Sequence, residues 1–206
     1  MSRRTTLETV STGDRVGIWI FVILGAALGA VAVVTAVLRI VEVVPGRDVA
    51  VFAEFAWTPV EAPIGRDGGS IAVEMMSGWL TAPTLSAVGV TVIVLQQVLA
   101  AALTLTLIAC LVGVAGGVLR DRIFSRRNTV LVTVASFATL AYLVLVPLLG
   151  TMAAGEAFAQ LGADRAGFTV QGADVTVYLV VGFVAALATT VFAVGDRLQR
   201  DTRGLV

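Results

Sequence analysis

The chain has 206 residues, 58% of them hydrophobic and 14% charged, with a formal net charge of zero. Soluble domains are about 45–50% apolar with glycine included and roughly 25% charged, so the composition disfavours a soluble enzyme and a disordered chain and fits a membrane protein. All fourteen basic residues are arginine and histidine is absent, which removes His-based triads and metal sites, Schiff-base lysines and the P-loop lysine; zero net charge gives no general attraction for nucleic acid.

Charge-free runs cover Val16–Leu38, Met75–Leu119, Asn128–Gly155 and Val175–Gly195, which are 23, 45, 28 and 21 residues. A bilayer core of ~30 Å needs about 20 apolar residues at ~1.5 Å rise, so each run can cross it. The longest is read as one span, because its strongest breaker, Pro83, leaves too few apolar residues before it for a second. The expected fold class is an all-α integral membrane protein with four transmembrane helices and a small extracytoplasmic β-containing subdomain between helices 1 and 2. The helices are expected over 16–40, 91–119, 129–150 and 175–195, with the extracytoplasmic subdomain over 41–90 and an extracytoplasmic loop over 151–174. The cytoplasmic segments are the N-terminus over 1–15, a basic loop over 120–128 and the C-terminus over 196–206.

Ser2-Arg3-Arg4-Thr5-Thr6-Leu7 has the look of a twin-arginine export signal. The apolar run that follows exceeds the about 7–15 residues of a signal core and lacks a small-x-small cleavage site after Arg39, so Arg3 and Arg4 read as orientation charges. Arg3, Arg4, Arg15, Arg120, Arg122, Arg126, Arg127, Arg197, Arg200 and Arg203 lie on one side of the four spans. Arg39, Arg47, Arg66 and Arg165 lie on the other with nine acids. Arginine is retained on the cytoplasmic side, which puts both termini in the cytoplasm of a bacterial inner membrane.

Between the first two spans the pattern turns extended. Asp48–Trp57 alternates, with Val49, Val51, Ala53, Phe55 and Trp57 on one face and Asp48, Phe52 and Glu54 on the other. Pro59, Pro63 and the Gly65–Gly69 stretch supply a turn, and Ser70–Met75 can pair back as a second strand. A two-stranded ribbon is marginal in water, so it is expected to pack on the membrane surface or on a third strand, Ala166–Gln171. A short helix is expected over Ala153–Leu161. Trp19, Trp57 and Trp79 read as interfacial anchors, with aromatic ligand contact as the alternative for the last two.

No Asp, Glu, Lys, Arg or His falls in the charge-free runs that supply the four spans, which argues against an ion relay or a voltage sensor. Gln96 and Gln97 are placed near the outer interface, solvated by headgroups. Gly25 and Gly29 on helix 1, and Gly113 and Gly117 on helix 2, form small-residue stripes that allow close helix approach; packing within the chain is preferred to a homodimer. Thr133, Ser136, Thr139 and Gly182 are expected to face neighbouring helices. Pro147 is expected to end helix 3 before Gly150, and Asp174 to cap helix 4. Cys110, the single cysteine, reads as packing.

The inner loop reads Leu119-Arg120-Asp121-Arg122-Ile123-Phe124-Ser125-Arg126-Arg127-Asn128. Ser125 can cap the next helix, Phe124 anchors at the interface, and Arg120, Arg122, Arg126 and Arg127 can meet lipid headgroups or a partner. Four spans, a large first outer loop and a basic inner loop with Phe-Ser-x-x-Asn resemble the bacterial four-helix membrane family called domain of unknown function 2975. Arg122-Ile123 stands where that family has a glycine shortly before the Phe. The resemblance implies an integral membrane protein without established catalysis, whose relatives look linked with small helix-turn-helix regulators.

The expected function is that of a non-enzymatic sensor, regulator or scaffold that contacts membrane lipids and docks a cytoplasmic protein, without cofactor, metal or direct nucleic-acid binding. The alternative is a carrier, or accessory subunit of a transporter, for a lipid or apolar small molecule. A membrane enzyme would have to work through carboxylates such as Glu54 and Glu74. The topology is tested directly: a reporter fused after Val206 is expected to read cytoplasmic, and Ser70→Cys to react with an impermeant thiol reagent from outside.

Overall fold

The computed structural model describes residues 12–65, 68–118, 125–162 and 175–203. The elements in chain order are α1 (Thr12–Val43), β1 (Arg47–Ala62), β2 (Ile71–Thr84), α2 (Ala87–Val118), α3 (Arg126–Gln160) and α4 (Val175–Arg203). The protein is mostly helical, and four helices are long and apolar enough to cross a membrane, over Val16–Val43, Ala87–Gly117, Arg126–Gln160 and Thr176–Leu198. Among the described residues the strands form one two-stranded antiparallel sheet between the first two helices.

The chain divides into two compact units. One comprises Thr35–Ala100 and Ala141–Val175 and contains the sheet; the other comprises Met1–Val34, Ala101–Leu140 and Thr176–Val206.

In the sheet-bearing unit, a sharp turn follows α1. Gly46 takes φ +65°, open to glycine without a Cβ penalty, and its carbonyl accepts from the Leu85 N–H at 2.9 Å, closing the base of the hairpin. The ladder pairs Arg47 with Thr84 and then Val49 with Ala82. Asp48, at φ +51°, would stand opposite Pro83, which has no N–H to give, and that rung is missing. Beyond it Val49, Val51, Ala53 and Phe55 are buried, alternating as the sequence pattern requires. They form one core with Val43, Ala82, Val92 and Ile93, and with Ala153, Ala154, Ala157 and Phe158 of α3. Phe55 and Phe158 meet edge to face, with ring centroids 5.9 Å apart at 83°.

Three expectations are corrected here. Pro147 does not end the third helix: α3 continues to Gln160 and absorbs the separate short helix expected at Ala153–Leu161. The extension persists because its last turns bury Ala153, Ala154, Ala157 and Phe158 under the sheet, a tertiary gain that outweighs the proline. Second, the buried face of the ribbon packs on the ends of α1, α2 and α3, a support the expectation did not include; Ala166–Gln171 lies outside the described residues. Third, both strands run past their expected limits, β1 through Pro59 to Ala62 and β2 to Thr84, and α2 begins at Ala87 instead of residue 91. Its cap is Ser86, whose Oγ accepts from the Gly89 N–H at 3.1 Å and donates to Glu156 Oε2 at 2.8 Å.

The apolar stretches also extend beyond the charge-free runs, the first through Arg39 and Glu42, the third through Glu156 and the fourth through Asp196 and Arg197. Arg39 is held locally, Nη1 pairing with Glu42 Oε1 at 2.8 Å and Nη2 donating to the Ala50 carbonyl.

Phe55→Ala is expected to lower stability by about 3–5 kcal/mol through lost burial and the cavity left behind. Phe52→Ala, on the exposed face of the same strand, is expected to cost no more than about 1.5 kcal/mol, the upper value of an aromatic pair. Thermal unfolding of the full chain in detergent, followed by near-UV circular dichroism, checks the contrast.

Candidate functional site

In the other unit, Ser125 caps α3 as expected: its Oγ accepts from the Asn128 N–H at 3.3 Å and its carbonyl from the Thr129 N–H at 3.0 Å. That cap leaves Arg126 and Arg127 exposed on the first helical turn. Arg120, Arg122 and Phe124 lie outside the described residues, as does Asp174. Thr129 Oγ1 donates at 3.5 Å to the Phe192 carbonyl of α4 as well as to the Ser125 carbonyl at 3.3 Å. Asn128, 1% exposed, and Asp196 are the buried polar side chains of the described residues, and neither is without a partner.

The glycine stripes face helices of the same chain. A Cβ at Gly25 would lie 3.2 Å from Ile108 Cγ2, and one at Gly29 3.1 Å from Leu105 Cδ2. On the second stripe, a Cβ at Gly113 would stand 2.8 Å from Leu131 Cδ1, and one at Gly117 2.9 Å from Asn128 Cγ. A leucine tip can swing aside; a buried, hydrogen-bonded amide has far less freedom. Gly25, Gly29 and Leu105 also line a shallow groove with Ala26, Ala30, Val33, Val34 and Ile108, almost wholly apolar. Gly182 does not behave as expected, since among the described residues no atom would lie within 4 Å of a Cβ there. Thr133 and Thr139 turn their hydroxyls back to the Thr129 and Ala135 carbonyls of their own helix, each at 2.9 Å.

Gln96 has a role that headgroup solvation does not describe. It is half-buried, and its Nε2 donates at 2.9 Å to the Val146 carbonyl, immediately before Pro147. Gly150 makes the room, since a Cβ there would lie 2.9 Å from that nitrogen. In apolar surroundings such an amide-to-backbone bond ties two helices where proline has disturbed one of them. The sequence contains Gln96, Pro147 and Gly150 as separate signals, and only the fold brings them together.

Trp79 is the other residue whose setting the pattern missed. It is on β2, paired across the ladder with Phe52, the rings 5.4 Å apart at 66°. Trp79 is 68% exposed and Phe52 45%. Trp19 is exposed on α1, and the side chain of Trp57 lies outside the described residues. Cys110 is buried. Glu54 and Glu74 are exposed on different strands, and among the described residues no group of three metal-ligating side chains converges.

No family model, no curated protein and no solved structure matches the chain. The resemblance to the four-helix family therefore rests on the loop residues and the span count.

The adjacent glycines 116 and 117 give a sharp test. Gly117→Ala is expected to cost about 1–3 kcal/mol by overpacking against Asn128. Gly116→Ala, with no described atom within 4 Å of its Cβ, is expected to be neutral or to stabilise by up to ~1 kcal/mol through helix propensity. Melting temperatures of the two variants in one detergent measure both.

Proposed function

We propose that the protein is a non-enzymatic polytopic protein of a bacterial inner membrane, a sensor, regulator or scaffold. In this reading its sheet-bearing unit lies outside the cytoplasm and its basic loop docks a cytoplasmic protein. The observation that carries it is the exposure of Arg126 and Arg127 on the first turn of α3. The helix dipole opposes cations at an N-terminus by about 0.3–1 kcal/mol each, so helix stability does not account for two arginines there. With Arg120 and Arg122 they place four cations within eight residues. Anionic headgroups attract such a cluster by ~1 kcal/mol per charge, and an acidic protein surface meets it by the same chemistry. The helices that flank the loop, α2 and α3, also carry Val92, Ile93, Ala153, Ala154, Ala157 and Phe158 of the core beneath the sheet.

The groove beside Gly25 and Gly29 favours the second reading, a carrier or transporter subunit for a lipid or apolar molecule. Its lining offers dispersion contacts to an acyl chain and almost no polar contact.

Extraction from native membranes into nanodiscs, with mass spectrometry of whatever co-purifies in proportion to the chain, separates the two. A stoichiometric protein partner is expected, lost when Arg120, Arg122, Arg126 and Arg127 are all replaced by Gln. A retained lipid or apolar ligand without any protein partner would favour the carrier.

A further inference from the structure

The exposed face of the hairpin combines aromatic surface with negative charge. The register pairs Ala50 with Thr81, Phe52 with Trp79 and Glu54 with Ser77. In β1 these positions alternate with the buried Val49, Val51, Ala53 and Phe55, so the three pairs share the face turned away from the core. Trp79 and Phe52 form an edge-to-face pair at its centre. Glu54, also exposed, is two residues beyond Phe52 on the same face, and its cross-strand partner Ser77 is two residues from Trp79. Glu54 and Trp79 are thus diagonal neighbours, about 7–8 Å apart at the backbone and within reach of one ligand group. An indole face attracts cations through its quadrupole, and a carboxylate beside it adds a full charge.

The two strands have the same sign: among their residues Asp48, Glu54, Glu61 and Glu74 stand against Arg47, with no lysine. Charge complementarity therefore selects a cationic partner. The shape selects its class. Small-molecule sites are concave, whereas this face is the open side of a two-stranded sheet, with a tryptophan, a residue enriched in protein contact surfaces, at its centre.

We propose that the face formed by Phe52, Glu54, Ser77, Trp79 and Thr81 docks a cationic, amphipathic segment of another polypeptide. An arginine or lysine of that segment lies over the Trp79 indole and pairs with Glu54, while a neighbouring apolar side chain covers Phe52. The inference rests on the sensor reading for the side of the membrane on which the segment arrives, and not for the binding itself.

The test uses the full chain in nanodiscs of zwitterionic phosphatidylcholine, titrated with a synthetic amphipathic peptide of Arg and Leu and with its Gln and Leu analogue. Saturable binding of the Arg peptide is expected, weakened at least about tenfold by Trp79→Ala and by Glu54→Gln, with Glu61→Gln near unchanged. Far-UV circular dichroism checks that the variants keep the native fold. Equal binding of the Gln analogue, equal weakening by Glu61→Gln and Glu54→Gln, or equal binding to empty nanodiscs would each overturn the proposal. Failure here leaves co-purification through the arginine loop unaffected, so the two readings fail separately.

Discussion

The sheet persists because Phe55 of β1 is driven against Phe158 at the far end of α3. A ribbon of two strands has too little apolar area to stand alone in water. Here one of its faces is given to a core whose other half is supplied by the ends of three helices, and Phe55 is 1% exposed within it. The dependence runs in both directions. The last turns of α3 follow a proline and include three alanines and a phenylalanine in the core; without a surface to cover them, those turns would gain little by remaining helical. The Ser86 hydroxyl joins the same unit by polar means, capping α2 while donating to Glu156 of α3.

The other unit is held on a different principle. In lipid there is little hydrophobic gain in bringing apolar helices together, so close approach and a few polar contacts must suffice. That is why glycine recurs at the contacts of α1 with α2 and of α2 with α3, and why a buried asparagine fills the space above Gly117. The Gln96 amide applies the same economy in the sheet-bearing unit, bonding to a carbonyl beside the only proline inside a helix of the described chain. Each of these contacts depends on a missing side chain on one helix and a polar or branched one on its neighbour.

What the sequence made legible follows from which forces are local. Runs of about 20 uncharged apolar residues are a property of the chain alone, and four such helices appear. The alternation of Val49, Val51, Ala53 and Phe55 is local too, and so are the hydroxyl of Ser125 at a helix start and the apolar setting of Cys110. Pro147 misled because its cost is local while its compensation is not: Ala157 and Phe158 are stabilised by a strand about one hundred residues earlier in the chain. The far limit of β2 escapes for a related reason: residues 76–84 belong to an apolar run that is ambiguous by itself, and pairing with β1 makes them strand.

The same distinction decides how the two candidate surfaces are weighed. Arg126 and Arg127 are visible in sequence as charge, and the structure adds their exposed position on the first turn of α3, where the helix dipole opposes cations. Trp79 is visible as an aromatic residue near a span, and by position alone it reads as an interfacial anchor. Pairing with Phe52 places that ring, 68% exposed, on the face of the sheet turned away from the protein core. Its exposure leaves apolar area outside the core and beside an acidic side chain, and under the proposal above that is the area a cationic partner covers.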